Sequence, residues 1–193
     1  MAEHQTAGRG RLDRRWEAPA NASLLMSVLL RPGHTSHLVS ACVALAAAEA
    51  CEAVAGVRPG LKWPNDLVVG DRKLAGVLAE AGWGGVVVGI GINVAWAPPD
   101  MEATCLGEGV SREALLAALL EGIDRRYPDQ WAIVAREYRE RCVTVGRDVR
   151  IELADETFTG RAADIDDEGH LLVDVGMCLR TVTAGDVVHL RPA

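Results

Sequence analysis

Four short apolar runs follow one another between Leu61 and Val94 with almost no room between them, and that crowding constrains the fold more than any other feature. The runs are Leu61–Trp63, Leu67–Val69, Leu74–Ala81 and Gly85–Val94, and their connections are Pro64-Asn65-Asp66, Gly70-Asp71 and Gly82-Trp83-Gly84. All three connections are turn chemistry, which brings consecutive strands back beside one another. Upstream, Ser23–Arg31 reads as a buried strand, and the alanine-rich run after it as a helix to about Ala55, capped by Thr35 or Ser36 and ended by Gly56–Gly60. The expected fold is α/β of the α+β kind: a mixed, mainly antiparallel sheet with helices on one side.

Downstream, Ser111 opens a second helix running to about Tyr127, with Leu115, Leu116, Leu119, Leu120 and Ile123 on one face. Pro128-Asp129 starts a third, ending near Arg141. After Val145-Gly146 the pattern changes to Val149–Leu153, Phe158–Asp164, Leu171–Val175, Arg180–Val182 and Val187–Leu190. Five short strands with tight polar turns read as a small barrel. The boundary is placed near residue 144, giving units 1–144 and 145–193.

The 193 residues carry a net charge of −7, which argues against a general binder of nucleic acid or of membrane surfaces. The longest apolar runs, around Ser23–Leu30 and Val86–Val94, fall short of the ~18 residues a membrane span needs. Five cysteines (42, 51, 105, 142 and 178) have no CxxC spacing and read as reduced packing residues, which points to the cytoplasm. His34 and His37 could pair two imidazoles, but without a third ligand nearby they suit a helix start better than zinc.

The chain has two lysines, Lys62 and Lys73, against 18 arginines, and both lie in the crowded region. Codon bias explains the scarcity but not the clustering; a lysine ammonium is a compact point charge that arginine does not copy. Lys73 begins an apolar strand, where it is either a solvated strand-end charge or a cation delivered to the sheet surface. Asn65-Asp66 either completes an Asx turn or holds a ribose, a nucleophile or a hydrated magnesium ion. Ahead of the first strand, Gly8-Arg9-Gly10-Arg11 combines backbone freedom with forked donors for carboxylate or phosphate. Gly89-Ile90-Gly91 lacks the third glycine and following helix of a dinucleotide fingerprint, and no P-loop is present.

Together AEHQTAGRGRLDRRW, SLLMSVLLRP, LKWPNDLVV, DRKLAGVLAE and VVVGIGINV, in this order, resemble the bacterial biotin protein ligases, and the segment from Val143 onward resembles that family's SH3-like end domain. The likeness covers nearly all of residues 2 to 191. It implies an enzyme that uses ATP and Mg2+ to activate biotin as biotinyl-5′-AMP. The acyl group would then pass to a lysine of a biotin carboxyl carrier protein. It implies that Lys73 is an electrostatic clamp between the biotin carboxylate and the phosphate, and that Arg9 and Arg11 enclose the phosphate. Gln5 would hydrogen-bond biotin, while Gly8 and Gly10 let the loop fold over ligand. Gly76 and Gly91 would let backbone approach it, and Asn65 and Asn93 fall at nucleotide- or metal-contact positions. Trp16 and Trp63 are read first as packing or loop-support residues and second as an aromatic wall to the ligand. No metal ligands are assigned, and a homodimer is compatible with the family.

Against the family pattern, no Ser/Thr-Thr-Asn type motif precedes the Ala-Glu-His-Gln segment and there is no winged-helix repressor domain. The expectation is an N-terminally shortened catalytic domain without operator binding, lacking a sheet element and part of the biotin pocket. Two other readings stay open: an inactive remnant that binds only ligand or carrier, and a lipoate or octanoyl transferase relative.

Overall fold

A computed structural model of the chain describes residues 1–12, 14–33, 37–82, 84–99 and 101–190. The expected helix cap at Thr35 or Ser36, His34 and Trp83 lie outside the described residues. The order is β1 (Ser23–Leu30), α1 (His37–Ala55), β2 (Gly60–Lys62), β3 (Asp66–Val69), β4 (Arg72–Gly82), β5 (Gly85–Asn93), α2 (Arg112–Asp124) and α3 (Trp131–Arg141). Then come β6 (Asp148–Glu152), β7 (Thr157–Ile165), β8 (Leu171–Asp174), β9 (Leu179–Val182) and β10 (Asp186–His189).

The first sheet has the order β1-β5-β4-β3-β2, and all its strand pairs are antiparallel. Tight turns make β2 to β5 sequential neighbours, while α1 carries the chain from β1 at one edge to β2 at the other. Side chains alternate strictly across β1 and β5. Leu24, Met26, Val88, Ile90 and Ile92 face α1 and join the core, and Leu25, Ser27, Gly89, Gly91 and Asn93 face the opposite way. A register shift between Leu67 and Val68 marks a bulge against β4 and changes the parity there. The second sheet, β10-β6-β7-β8-β9, encloses Val149, Ile151, Ala162, Ile165, Leu171 and Val173. It has the five antiparallel strands expected of the small barrel.

The helices depart from expectation in three ways. Leu120 is 41% exposed, so the apolar face of α2 narrows to Leu115, Leu119 and Ile123, with Leu116 partly buried against the core beside them. It narrows because α1 and α2 approach closely: a Cβ on Gly122 would stand 2.8 Å from Ala46 Cβ. Second, α2 stops at Asp124, not near Tyr127, and α3 begins at Trp131, not Pro128. The linking turns bring Arg126, 6% exposed, onto Glu49 of α1 and Glu137 of α3. Third, α1 is itself apolar and long enough, by length and composition, to cross a membrane, so the sequence estimate of the longest apolar run was too short. Thirteen of its residues are buried under the sheet and its neighbouring helices, which accounts for its composition as that of a core helix.

Trp63 joins the two sheets. Its indole Nε1 donates to the Gly169 carbonyl at 3.0 Å, its backbone N–H to the Thr144 hydroxyl at 3.0 Å, and its ring stacks on His37. Burial pushes the His37 imidazole down to about 4, with His170 and Arg11 adding repulsion. Burial, then Lys62 and Arg147, takes His189 to about 4 as well. Both values lie below that of an unfolded imidazole, ~6.5, so the unfolded chain takes up protons that the native protein refuses. The stability from neutral His37 is full above about pH 6.5 and is lost as pH falls towards about 4, up to ~3 kcal/mol in all. Denaturant midpoints measured across that window should fall, and His37→Phe, which keeps an aromatic ring on Trp63, should flatten the slope. An unchanged slope in the variant would remove His37 from the effect.

Candidate functional site

The sheet face turned away from the helices carries the candidate site. Antiparallel register lines up Leu25, Gly91, Gly76 and Asp66 as direct cross-strand partners through β1, β5, β4 and β3. Two glycines in the middle of that row leave a bare floor. A Cβ on Gly91 would stand 2.5 Å from Trp16 Cε2, and one on Gly76 would lie 3.2 Å from both Lys73 Nζ and Trp16 Cζ3. What approaches the two backbones here is thus an indole and an ammonium. Gly91→Ala should displace Trp16 and reduce turnover by about 10²-fold, the scale on which a 1 Å misplacement acts. Parent-level turnover would contradict this reading of the floor.

Lys73 is fixed from several sides. Its backbone exchanges hydrogen bonds with the following loop, its N–H donating to Glu102 O and its carbonyl accepting from Thr104 N, both at 2.8 Å. The bulge turns its side chain to the glycine face, where Nζ lies 2.7 Å from Asp66 Oδ1 and 5.7 Å from the centre of the Trp16 ring. The side chain is 29% exposed, so the charge is partly screened and still reachable.

The arginine loop closes over this floor as a small hairpin. Arg9 bridges Arg15, Gly10 N donates to Arg14 O, and Trp16 N donates to Gly8 O. Gly8 is obligatory, since a Cβ would stand 2.2 Å from Trp16 O. Trp16 is carried back onto the sheet by this turn, and its Nε1 is buried without an acceptor. Arg9 pairs with Glu80, and Arg11 donates to Asn65 Oδ1 at 3.3 Å and to Gly185 O at 3.0 Å. Asn65 also brackets the turn, its Nδ2 donating to Val77 O.

These groups enclose a cavity of about 830 Å³, within the size range of small-molecule sites. Gln5, Gly10, Lys62, Lys73 and Asn93 line it, as do Glu152 and Asp186 of the second sheet. Asn93 is only 2% exposed, and its amide donates to Thr104 O, so it braces the 101–107 loop. Every site residue expected from the sequence thus converges on one face. Glu80, Asp186 and Gly185 were missed. Glu80 could have been found from its alternation with Gly76 and Leu78; nothing in the sequence connects residues 185–186 to the loop.

Among the described residues, the cavity's carboxylates, Glu17 included, are not gathered into a cluster that could cage magnesium. Asp66, Glu80, Glu152 and Asp186 each lie in an ion pair, with Lys73, Arg9, Arg150 and Arg14 respectively. Magnesium keeps its waters readily and is commonly brought in by phosphates, so a nucleotide could carry it in without protein ligands.

Residues 1–96 match the Biotin/lipoate A/B protein ligase family and residues 144–190 the Biotin protein ligase C terminal domain. The biotin–[acetyl-CoA-carboxylase] ligase of Mycobacterium tuberculosis is 42% identical, over 99% of this chain and 78% of that protein. The chain belongs to the biotin protein ligase family. A bifunctional ligase/repressor BirA of Bacillus subtilis is 30% identical over 97% of the chain and 64% of its own length. Among solved structures, a biotin protein ligase from Aquifex aeolicus in complex with biotin and ATP matches with a TM-score of 0.84 and 27% identity, covering 99% and 88% of the two chains. Membership bears out the resemblance read from the GRGR, KWPND and KLAG segments, together with the α+β fold and its SH3-like end. As a biotin protein ligase, the chain is an enzyme of the ATP-dependent ligase class.

Proposed function

We propose that the chain activates biotin with ATP to form biotinyl-5′-AMP and transfers the acyl group to a lysine of a biotin carboxyl carrier protein in the cytoplasm. Residues 1–144 would form the catalytic unit and 145–193 the SH3-like end. One observation carries the reading: the Lys73 ammonium stands with the Trp16 indole over a floor of two glycines, beneath a loop of arginines, inside a cavity of about 830 Å³.

In the first step a biotin carboxylate oxygen bonds to the α-phosphorus, the bond from that phosphorus to the bridging oxygen breaks, and pyrophosphate leaves. Two anions must meet, so fixed positive charge is the main requirement. Lys73 supplies it between the carboxylate and the phosphate, exchanging part of its interaction with Asp66 for the ligand. Arg9 and Arg11 enclose the phosphate; Gln5 hydrogen-bonds biotin, and Trp16 Nε1 is a buried donor for which a ligand oxygen would be an acceptor. Gly8 and Gly10 allow the hairpin to cover the mixed anhydride and keep water away. Gly76 and Gly91 keep the floor flat, while Asn65 and Asn93 hold the turn and the loop beside it. Magnesium, where present, would offset phosphate charge.

In the second step the neutral amine of the carrier lysine attacks the acyl carbon. AMP departs with the electron pair of the anhydride bond, and the new amide loses its extra proton. No covalent enzyme intermediate is required, which suits a lysine held as a paired cation.

Mass spectrometry of a carrier domain incubated with the protein, biotin and ATP should find one biotinyl group on one lysine. Carrier binding without that mass gain would favour the inactive-remnant reading, and equal labelling from lipoate the transferase reading.

A further inference from the structure

The arginine loop is tied to three separate elements, and one of the ties comes from the far end of the chain. Arg9 is held by Glu80 of β4 and Arg11 by Asn65 of the β2–β3 turn. The third anchor is Asp186, the first residue of β10, whose carboxylate pairs with Arg14 through Oδ2 and lies 3.8 Å from Arg11 Nη1 through Oδ1. Its side chain is only 14% exposed, so this charge is better shielded than those of ordinary surface pairs.

The neighbouring backbone strengthens the tie. The Gly185 carbonyl accepts from Arg11 Nη2 at 3.0 Å. Gly185 has φ +134°, and a Cβ there would stand 3.0 Å from Glu152 O and 2.6 Å from Leu153 Cδ2, so the carbonyl's position depends on glycine. Asp186 is itself set by its register partner Glu152 on β6. The second sheet therefore presents one carboxylate and one carbonyl, on a fixed strand start, to two arginines of a loop rich in like charge.

We propose that Asp186, with the Gly185 carbonyl, is a positioning element that holds the arginine loop closed over the cavity. A single carboxylate shared by two arginines neutralises half their charge. It relieves the repulsion that would open the hairpin and leaves net positive charge facing the cavity for an anionic ligand. The second sheet is then part of the device that closes the site, acting through Arg11 and Arg14 without touching the reacting atoms. The kinetic part of this proposal rests on the ligase reading above; the part concerning loop closure does not.

The test compares the ligand-free parent protein with Asp186→Ala, Arg14→Ala and the double variant by hydrogen exchange. Asp186→Glu serves as the rescue, and Glu156→Ala, which removes a partner of Arg180 elsewhere on the second sheet, as the control. The amides of Gly10 and Trp16 are bonded within the hairpin and report its closure. They should exchange about tenfold faster in either single variant, the scale of a lost charge-assisted bond, and no faster in the double one. In biotin-dependent ATP–pyrophosphate exchange, KM for ATP and biotin should rise about tenfold with kcat changed by less than about twofold, and Asp186→Glu should restore most of the loss. Parent-like amide exchange in both Asp186→Ala and Arg14→Ala would overturn the proposal. A parent protein without biotin-dependent turnover would overturn the ligase reading instead, and the amide comparison would still decide the latch.

Discussion

Lys73→Ala is expected to lower biotin-dependent ATP–pyrophosphate exchange by about 10²–10³-fold or more, the range found when one preorganised stabiliser of developing charge is removed. The charge cannot be supplied by a neighbour. Arg9 is paired with Glu80 and Arg11 is turned towards Asn65 and Gly185, whereas Lys73 is the cation beside the Gly76 floor. Asp66 would be left without its partner at 2.7 Å, adding a negative charge where anions must bind. The fold should survive, because the side chain is 29% exposed and its backbone bonds to the 101–106 loop do not depend on it. Lys73→Arg should recover little, since a planar fork cannot occupy the point beside Gly76 that an ammonium fills. Exchange within a few-fold of the parent in well-folded Lys73→Ala would remove the lysine from the chemistry.

The largest loss of stability should come from Arg126→Ala. Arg126 is 6% exposed and its guanidinium binds Glu49 and Glu137, with Nη1 also donating to Gly122 O at 3.1 Å. It thus fastens α1, the end of α2 and α3 together at one point. Removing it leaves Glu137 unpaired beside Glu49, which keeps Arg125 as a partner, in a partly buried site, so the cost falls at the low end for a broken buried pair, about 3 kcal/mol. For a chain of this size the melting temperature should fall by roughly 10 °C. Denaturant unfolding of the two proteins measures the difference directly. A loss below about 1 kcal/mol would mean that solvent reaches the network freely.

The strands were legible because their signals are local. Each predicted strand of the first sheet lies within two residues of its observed bounds, since Pro64-Asn65-Asp66 and Gly70-Asp71 leave few alternatives for the chain. Lys73 stood out through composition, and Gly76 and Gly91 through the motif around them. The α2–α3 junction was misread because the turns there are held by Arg126, whose partners Glu49 and Glu137 come from two other helices. Leu120 fits the helical period but falls outside a stripe narrowed by the Ala46–Gly122 contact. Trp16 carried no signal of its place on the glycine floor; that depends on the hairpin folding back through Gly8. Asp186 lies 172 residues from Arg14, and only the docking of the second sheet brings them together.

The central claim is that this face of the sheet joins a carboxylate to the α-phosphate of ATP. Isotope exchange between pyrophosphate and ATP, with and without biotin, reads that step alone and needs no carrier. The account predicts label in ATP only when biotin is present, lost in Lys73→Ala and not replaced by lipoate. Folded parent protein that gives no biotin-dependent label, or gives as much with lipoate, would contradict it.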